Sequence, residues 1–142
     1  MASKLTLASL TTKASLSAAL QRLESAAEED DTLELLSAAY RQPRAHVLGI
    51  TGPPGVGKST LLNVLIKSWR EQKRTVACIA VDPSSRRSGG ALLGDRTRFT
   101  VDPLDAGVFV RSMAARDKLG GLAALTVPAM VIMRALYDLV LI

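Results

Sequence analysis

The sequence contains a single cysteine, Cys78, among its 142 residues. One thiol cannot form a disulfide within the chain, which excludes the disulfide-stapled class of small secreted domains and indicates a reducing compartment. Cys78 lies within an apolar run, so we predict a buried and unreactive thiol. Aromatic residues make up only 4% of the chain while 48% is hydrophobic. The predicted core therefore consists mainly of Leu, Val, Ile and Ala.

The chain also lacks an uninterrupted apolar run long enough to cross a membrane. The most apolar region, residues 119–142, is interrupted by Pro128, Arg134 and Asp138, whereas a spanning helix needs about 20 apolar residues. No hydrophobic signal segment opens the sequence. We expect a cytoplasmic protein with no membrane partner. An organelle transit peptide is the alternative, because the first 23 residues lack acids, although they contain little arginine; it would place the protein in the mitochondrial matrix.

Histidine is nearly absent as well. His46 is the only one, and no cluster of Cys, His or Asp with metal-ligand spacing surrounds it, so neither a zinc nor a nickel site is predicted. The net charge of +5 suits nucleic acid, an anionic membrane or a polyphosphate ligand. Phe99 alone interleaves with the arginines of residues 86–98. Stacking on single-stranded nucleic acid is therefore poorly supported, and we expect no nucleic-acid partner.

What the sequence does contain is a glycine-rich segment between an apolar run and an amphipathic one. Residues 52–59 match G-x-x-x-x-G-K-[ST], the pattern of a phosphate-binding loop. Its glycines allow backbone N–H groups to turn toward an anion. Lys58, the one catalytic candidate, suits the β- and γ-phosphates, and the Ser59 hydroxyl suits Mg²⁺. The alternative is a plain turn before a helix. The predicted phosphate-binding residues are Gly52, Pro53, Pro54, Gly55, Val56, Gly57, Lys58, Ser59 and Thr60.

The segments around this loop predict an α/β fold. A buried strand precedes the loop from Val47, and residues 75–81 form a continuous apolar run, as in a parallel strand covered on both faces. Further strands are predicted over 108–113 and 138–142, and a helix from Thr126 to Leu136. The helix after the loop is expected to end near Lys73, with one apolar side formed by Leu61, Leu62, Val64, Leu65 and Trp69. We predict an incomplete three-layer α/β/α P-loop NTPase fold with a mostly parallel sheet.

The region before the first strand predicts two short helices. We divide the chain into a helical segment, residues 1–44, and the first part of a nucleotide-binding domain, residues 45–142. Residues 1–12 are expected to be loose, and helical spacing begins at Ser15. Asp31 with Glu34 fits a capping box for the second helix. The helical pair either packs on the main domain or offers a surface to a partner protein.

Two aspartates are candidates for a magnesium site with Ser59. Asp82 ends the second predicted strand, and ligands of open α/β sheets bind beyond the carboxyl ends of strands. Asp95 follows in a segment rich in Gly, Ser and Arg, which suits a loop that orders around a γ-phosphate. The alternative for Asp82 is a simple turn before Pro83.

Four blocks of the sequence together resemble one family of P-loop GTPases. The blocks are GITGPPGVGKST (49–60), AVDPSSRRSGGALLGDRTR (80–98), VFVRSM (108–113) and LGGLA (119–123). They are similar to the G-protein chaperones of methylmalonyl-CoA mutase, also labelled lysine/arginine/ornithine transport ATPases or kinases. The resemblance implies binding of GTP or GDP with Mg²⁺, slow hydrolysis, a homodimer, and a B12-dependent acyl-CoA mutase as partner. It places residues 52–60 on the phosphates, and Ser59, Asp82 and Asp95 in the magnesium shell.

The sequence departs from that family in two places. Residues 116–118 read Arg-Asp-Lys where the family has Arg-Gly, and segments that the family carries beyond a strand like residues 138–142 do not follow here. We therefore expect a truncated form in which Ile142 and its sheet neighbours expose an apolar edge and GTP hydrolysis is negligible. The alternatives are an ATP-using kinase or transport ATPase, and a non-enzymatic module that binds a partner through residues 15–41.

Overall fold

Four parallel strands form the sheet of the computed structural model, which describes residues 4–53, 55–82, 101–114 and 125–142. The strands are β1 (His46–Leu48), β2 (Val76–Asp82), β3 (Val108–Ala114) and β4 (Leu139–Leu141). Their order is β1-β4-β2-β3, so the last strand in sequence lies between the first two. Val140 is opposite both Val47 of β1 and Ala77 of β2, and Ala80 of β2 is opposite Ser112 of β3.

The helices cover both faces of this sheet. They are α1 (Lys13–Ser25), α2 (Asp30–Tyr40), α3 (Lys58–Glu71) and α4 (Thr126–Leu136), after a 3-10 turn at Leu7–Ser9. Side chains of α1, α2 and α4 share one buried cluster with Ala77 and Ile79 of β2. Ile66 of α3 joins a second cluster with Val76 and Cys78. Because alternate residues of β2 enter the two clusters, the predicted α/β/α layering is confirmed.

Most of the predicted strands and the last predicted helix are confirmed to within two residues. The apolar β-branched runs form β2, β3 and β4, and their burial on both faces agrees with the pattern expected of a parallel sheet. Helix α4 begins at Thr126 and ends at Leu136, as Pro128 in its first turn predicted. The turn at Asp102 is also present, since its carboxylate accepts a hydrogen bond from the Leu104 amide at 2.9 Å.

The environment of the first and last strands differs from the prediction. Strand β1 was expected to be buried, but its residues are exposed, with Val47 at 39% and Leu48 at 43%. The prediction was wrong because, among the described residues, β1 pairs only with β4 and so lies at an edge of the sheet. The apolar edge expected at Ile142 and its sheet neighbours is present at the neighbouring strand β1, whereas the strand that ends before Ile142 is not an edge strand. Strand β4 is flanked on both sides, and its three residues are buried.

The apolar side of α3 was also predicted incorrectly. Leu61 and Val64 are 48% and 59% exposed, whereas Ile66, which the prediction left out, is buried at 4%. Leu62, Leu65 and Trp69 pack against its cluster as predicted. Two apolar stripes adjoin on α3, and the stripe that faces the sheet is the one that is buried. Helical spacing alone does not indicate which side of the helix faces the sheet.

The amino-terminal region is more ordered than the sequence suggested. Residues 7–9 form a 3-10 turn, and Leu10 is buried against the core. Helix α1 begins after Thr12, whose hydroxyl accepts a hydrogen bond from the Ser15 amide at 3.1 Å. The predicted cap of α2 is wrong: Glu29 is the N-cap, and Asp31 lies in the first turn, where a carboxylate favours the helix dipole.

The two amino-terminal helices pack on the same sheet face as α4. Leu16, Leu23 and Leu35 are at most 2% exposed in the cluster that includes the sheet residues. An ion pair between Glu24 and Arg111 of β3, with 2.9 Å between Oε1 and Nη2, adds a polar contact. Of the two roles considered for these helices, the structure shows the packing role. In the described ranges no helix is both long and apolar enough to cross a membrane.

A carboxylate before β4 ties three strands together at their amino ends. Asp138 Oδ2 accepts hydrogen bonds from the backbone N–H of Thr75 at 2.8 Å and from its hydroxyl at 3.1 Å. Asp138 Oδ1 lies 2.8 Å from a guanidinium nitrogen of Arg44. Arg44 precedes β1, Thr75 precedes β2 and Asp138 precedes β4. The hydrogen bonds from Thr75, with Arg44, hold the pKa of the Asp138 carboxyl below its usual value.

A second carboxylate ties α3 to the start of β3. Arg70 donates two hydrogen bonds to Asp105, at 2.8 Å and 2.7 Å, and a third to the carbonyl of Arg74. Asp105 also accepts the N–H of Gly107 at 2.9 Å. These hydrogen bonds, that from Arg70 foremost, lower the pKa of Asp105. A Cβ at Gly107 would lie 2.3 Å from the Arg70 guanidinium carbon, so the paired hydrogen bonds between Arg70 and Asp105, here called a clamp, require glycine there.

Candidate phosphate-binding site

The glycine-rich loop lies between the carboxyl end of β1 and the first turn of α3. Its entry is fixed to β4 by two backbone hydrogen bonds, from Ile50 N to Ile142 O at 2.7 Å and from Ile142 N to Leu48 O at 3.0 Å. Because β4 lies inside the sheet, these bonds anchor the loop although β1 itself lies at an edge. The loop and the carboxyl ends of the strands therefore share one end of the sheet, where ligands of open α/β sheets bind.

Two glycines of the loop adopt a conformation that favours glycine. Gly55 has φ +80° and Gly57 has φ +94°, both in the left-handed region where a Cβ is unfavourable. Gly52 has a different requirement: a Cβ there would lie 3.2 Å from Cγ2 of Val56. The three glycines thus permit a tight loop whose backbone N–H groups are available to an anion.

Helix α3 begins directly from this loop. Gly57 is its N-cap, and the Gly57 carbonyl accepts the first helical hydrogen bond, from Leu61 N at 3.0 Å. The N–H groups of the first turn of a helix have no partner within the helix, and the dipole makes that end positive. No acidic residue lies in the first turn of α3. This end of the helix therefore has the charge that a phosphate group requires.

Lys58 is folded back over the loop. Its Nζ donates a hydrogen bond to the carbonyl of Gly52, and its aliphatic chain passes close to that residue. The ammonium group is consequently held among the loop residues rather than in open solvent. A positive charge at this position can contact the outer phosphates of a nucleotide without a large change in the backbone.

The structure brings together most, not all, of the predicted site. Residues 52, 53 and 55–60 lie in the loop and the first turn of α3, with Gly52, Lys58 and Ser59 half-buried. Asp82 is the last residue of β2, opposite Ala114 of β3, at the same end of the sheet. The side chain of Asp82 lies outside the described part of the molecule, as do Pro54 and Asp95. Their predicted roles stay predictions.

The donor chemistry at this end of the sheet fits magnesium. Mg²⁺ prefers hydroxyl and carboxylate oxygens and keeps several of its waters, and the site offers the Ser59 hydroxyl with the acidic residue that ends β2. A buried polar atom supports this interpretation: Ser112 Oγ, on β3, has no hydrogen-bond partner among the residues that the structure describes. Sequence reasoning missed Ser112, and its one available signal is a lone hydroxyl within the apolar run VFVRSM.

Other candidate groups in the described ranges carry no such chemistry. His46 is exposed, and no set of three or more His, Cys, Asp or Glu side chains in these ranges could hold a metal ion. Burial raises the pKa of the Cys78 thiol to about 12. A thiol with that pKa is protonated at neutral pH, which confirms the predicted unreactive cysteine.

The chain is similar to a family of GTPases and to several individual proteins. Residues 16–142 match the family model described as methylmalonyl Co-A mutase-associated GTPase MeaB. A protein of Pyrococcus horikoshii whose name refers to a GTPase is 57% identical over 91 residues, which cover 64% of this chain and 29% of that protein. A mouse protein, methylmalonic aciduria type A homolog, mitochondrial, is 39% identical over 102 residues, or 71% of this chain and 25% of the mouse protein.

A third relative joins this type of sequence to a mutase. The fused isobutyryl-CoA mutase of Cupriavidus metallidurans is 46% identical over 90 residues, which cover 59% of this chain and 8% of that protein. The chain spans about a third or less of the length of each of these relatives. The similarity therefore concerns one part of larger proteins.

Proposed function

Since the chain belongs to the family of methylmalonyl-CoA mutase-associated GTPases, we propose that it binds the phosphates of a guanine nucleotide together with Mg²⁺. The observation that carries the proposal is the loop itself. Left-handed Gly55 and Gly57 lead into α3, with Lys58 folded over Gly52. The backbone N–H groups bind phosphate oxygens, and the lysine neutralises their charge.

The magnesium ion would be held by Ser59, with Asp82 and Asp95 as the acidic members of its shell. When bound, the ion neutralises charge that develops on the phosphate oxygens. The residues of this chain then position the phosphates through the loop amides and keep the Lys58 ammonium at the anion. Phosphoryl transfer depends mainly on such positioning and charge stabilisation. We expect negligible turnover of GTP by this chain.

At the level of the cell, the proposal is that the chain serves an adenosylcobalamin-dependent acyl-CoA mutase as a G-protein chaperone. The family description and the relative fused to isobutyryl-CoA mutase support that partner. The family resemblance further suggests a homodimer. A cytoplasmic location is proposed, with the mitochondrial matrix as the alternative in view of the mitochondrial mouse relative.

Calorimetric titration with Mg·GDP, a Mg·GTP analogue and Mg·ATP tests the nucleotide proposal. Lys58→Ala is expected to weaken binding at least tenfold, because a charge-assisted hydrogen bond contributes about 1.5–3 kcal/mol. Lys67→Ala is the matched control, since Lys67 is an exposed lysine of the same helix, and it should bind like the unaltered chain. Equal loss in both variants, or no binding by the unaltered chain, contradicts the proposal.

The same titration separates the proposal from its main alternative, an ATP-using kinase or transport-coupled ATPase. Preference for the Mg·GTP analogue over Mg·ATP supports a guanine nucleotide, and preference for Mg·ATP supports the alternative. Binding without base preference would show a working phosphate loop whose base-reading part is not in this chain.

A further inference from the structure

Ser112 has a buried hydroxyl that the packing of the protein does not explain. Its Oγ is buried and lacks a hydrogen-bond partner within the part of the chain that the structure describes. Leaving a buried hydroxyl without a partner costs about 1–3 kcal/mol. Alanine would fill the position without that cost, so a serine here requires a reason other than the stability of the described fold.

The side chain of Ser112 lies on the α3 face of the sheet. Phe109 and Met113 of β3 belong to the cluster under α1, α2 and α4, whereas Val108 and Val110 pack in the cluster under α3. Successive side chains of a strand alternate between faces. Ser112 therefore shares the face of Val108 and Val110, beside Ala80, its partner in register on β2.

The register of β3 places Ser112 close to the carboxyl end of the sheet. Ser112 precedes Ala114 by two residues, and Ala114 is opposite Asp82, the last residue of β2. Two residues of a strand span about 7 Å, so Ser112 lies about that far below the level of Asp82.

The same flank of α3 that carries Ser59 faces β3. Asn63 and Arg70 line a cavity with Val108 at the start of β3. Asn63 and Arg70 are seven residues apart, and Ser59 precedes Asn63 by four, so all three lie on one flank of the helix. Ser59 therefore lies on the flank of α3 directed toward the β3 side of the sheet, and Ser112 lies on the sheet face under α3, two residues before the level of Asp82.

From this juxtaposition we propose that Ser112 is a positioning residue of the Mg²⁺–nucleotide site, whose hydroxyl accepts a hydrogen bond from a water of the magnesium shell. The inference rests on the proposed nucleotide function. Mg²⁺ keeps several waters when it binds to proteins, and those waters need acceptors near the ion. The Ser112 hydroxyl, two residues before the level of Asp82, supplies one. The unpaired Ser112 hydroxyl then costs energy in the ligand-free chain because the site is already formed before the ligand binds.

The test compares Ser112→Ala with Thr32→Val in GDP titrations with Mg²⁺ and with a chelator. Thr32, in α2, also has a buried hydroxyl without a partner in the described ranges, but its helix packs on the opposite face. We expect Ser112→Ala to weaken binding of Mg·GDP about tenfold, as for other residues that orient metal ligands, and to leave metal-free GDP binding unchanged. Thr32→Val should bind like the unaltered chain in both conditions.

Thermal unfolding without nucleotide supplies the second measurement. Both variants remove an unpaired buried hydroxyl, so both should keep or raise the midpoint temperature. Ser112→Ala overturns the inference if it binds Mg·GDP as well as the unaltered chain, or if its loss is the same with and without Mg²⁺. Failure of the unaltered chain to bind GDP at all would instead refute the proposed function, which distinguishes the two outcomes.

Discussion

The two ends of the parallel sheet are built in opposite ways. At the amino ends, Asp138 and Asp105 are each fixed by several hydrogen bonds to neighbouring elements. At the carboxyl ends lie the two left-handed glycines of the loop, the first turn of α3 and the Ser112 hydroxyl, which has no partner among the residues that the structure describes. The two carboxylates are satisfied at the first end, whereas the second end offers groups to a ligand. The difference is the one expected between an end that stabilises the fold and an end that binds a ligand.

This contrast makes a clear prediction for mutations. Substitutions at the amino ends should lower the free energy of unfolding and leave phosphate binding intact in the folded chain. Substitutions at the carboxyl ends should weaken phosphate binding by more than they lower the free energy of unfolding. Any residue that changes both quantities to a similar degree would show that the two ends are coupled.

The largest effect on stability is expected for Asp138→Ala. The substitution leaves the Thr75 N–H without its 2.8 Å acceptor and removes the partner of Arg44. We expect the free energy of unfolding to fall by about 2 kcal/mol, the range for a partly buried donor left unpaired. Urea unfolding at pH 7 measures it, and titration with Mg·GDP should show unchanged affinity.

A pH series provides the control for the role of Asp138. The folded state lowers the pKa of Asp138, so its stabilising contribution is complete above the unfolded pKa of about 3.9 and is lost as the pH falls through the lower folded value. The unaltered chain should therefore lose stability in acid more steeply than Asp138→Ala. Parallel curves for the two proteins would contradict the role given to this carboxylate.

The contacts of Asp105 and Asp138 also show where sequence analysis is limited. The apolar runs predicted β2, β3, β4 and α4 nearly to the residue, because burial on both faces and a proline in the first turn are local signals. No contact was predicted for Asp105, and Asp138 was assigned only to the start of a strand. Their partners, Arg70 and Thr75, are 35 and 63 residues away in the chain, so no local pattern reports them.

The same reason explains the errors at β1 and α3. The order β1-β4-β2-β3 inserts the last strand between the first two, and that order decides that Val47 is exposed while Val140 is buried. It also decides that Ile66, not Val64, faces the sheet. The candidate site differs in this respect. The glycine-rich loop is continuous in sequence, so its glycines, Lys58 and Ser59 could be predicted as one group without the fold, and their role in binding phosphate stays a prediction.

At the carboxyl end, Gly57→Ala is the corresponding test. Alanine at φ +94° costs about 1.5 kcal/mol in stability, and relief of that strain would turn the loop N–H groups away from the anion. We expect loss of measurable Mg·GDP binding in calorimetry, with the chain still folded by circular dichroism. Gly49→Ala is the control, since Gly49 has open space around it and no positive φ. Retained affinity in Gly57→Ala would show that the left-handed turn is not required.

The smallest expected effect is that of Gly107→Ala, at the amino end. The new Cβ would lie within 2.5 Å of the Arg70 guanidinium group, so this flexible side chain must move and its paired hydrogen bonds to Asp105 are lost. Because the pair is partly exposed, we expect a loss of about 1 kcal/mol. A double-mutant cycle in urea identifies the cause. In an Arg70→Ala background the alanine at position 107 has nothing to displace, and its additional effect should be close to zero. If both substitutions instead add independently, Gly107 acts through its own backbone, and the clamp at this end of the sheet consists of Asp105 and Arg70 alone.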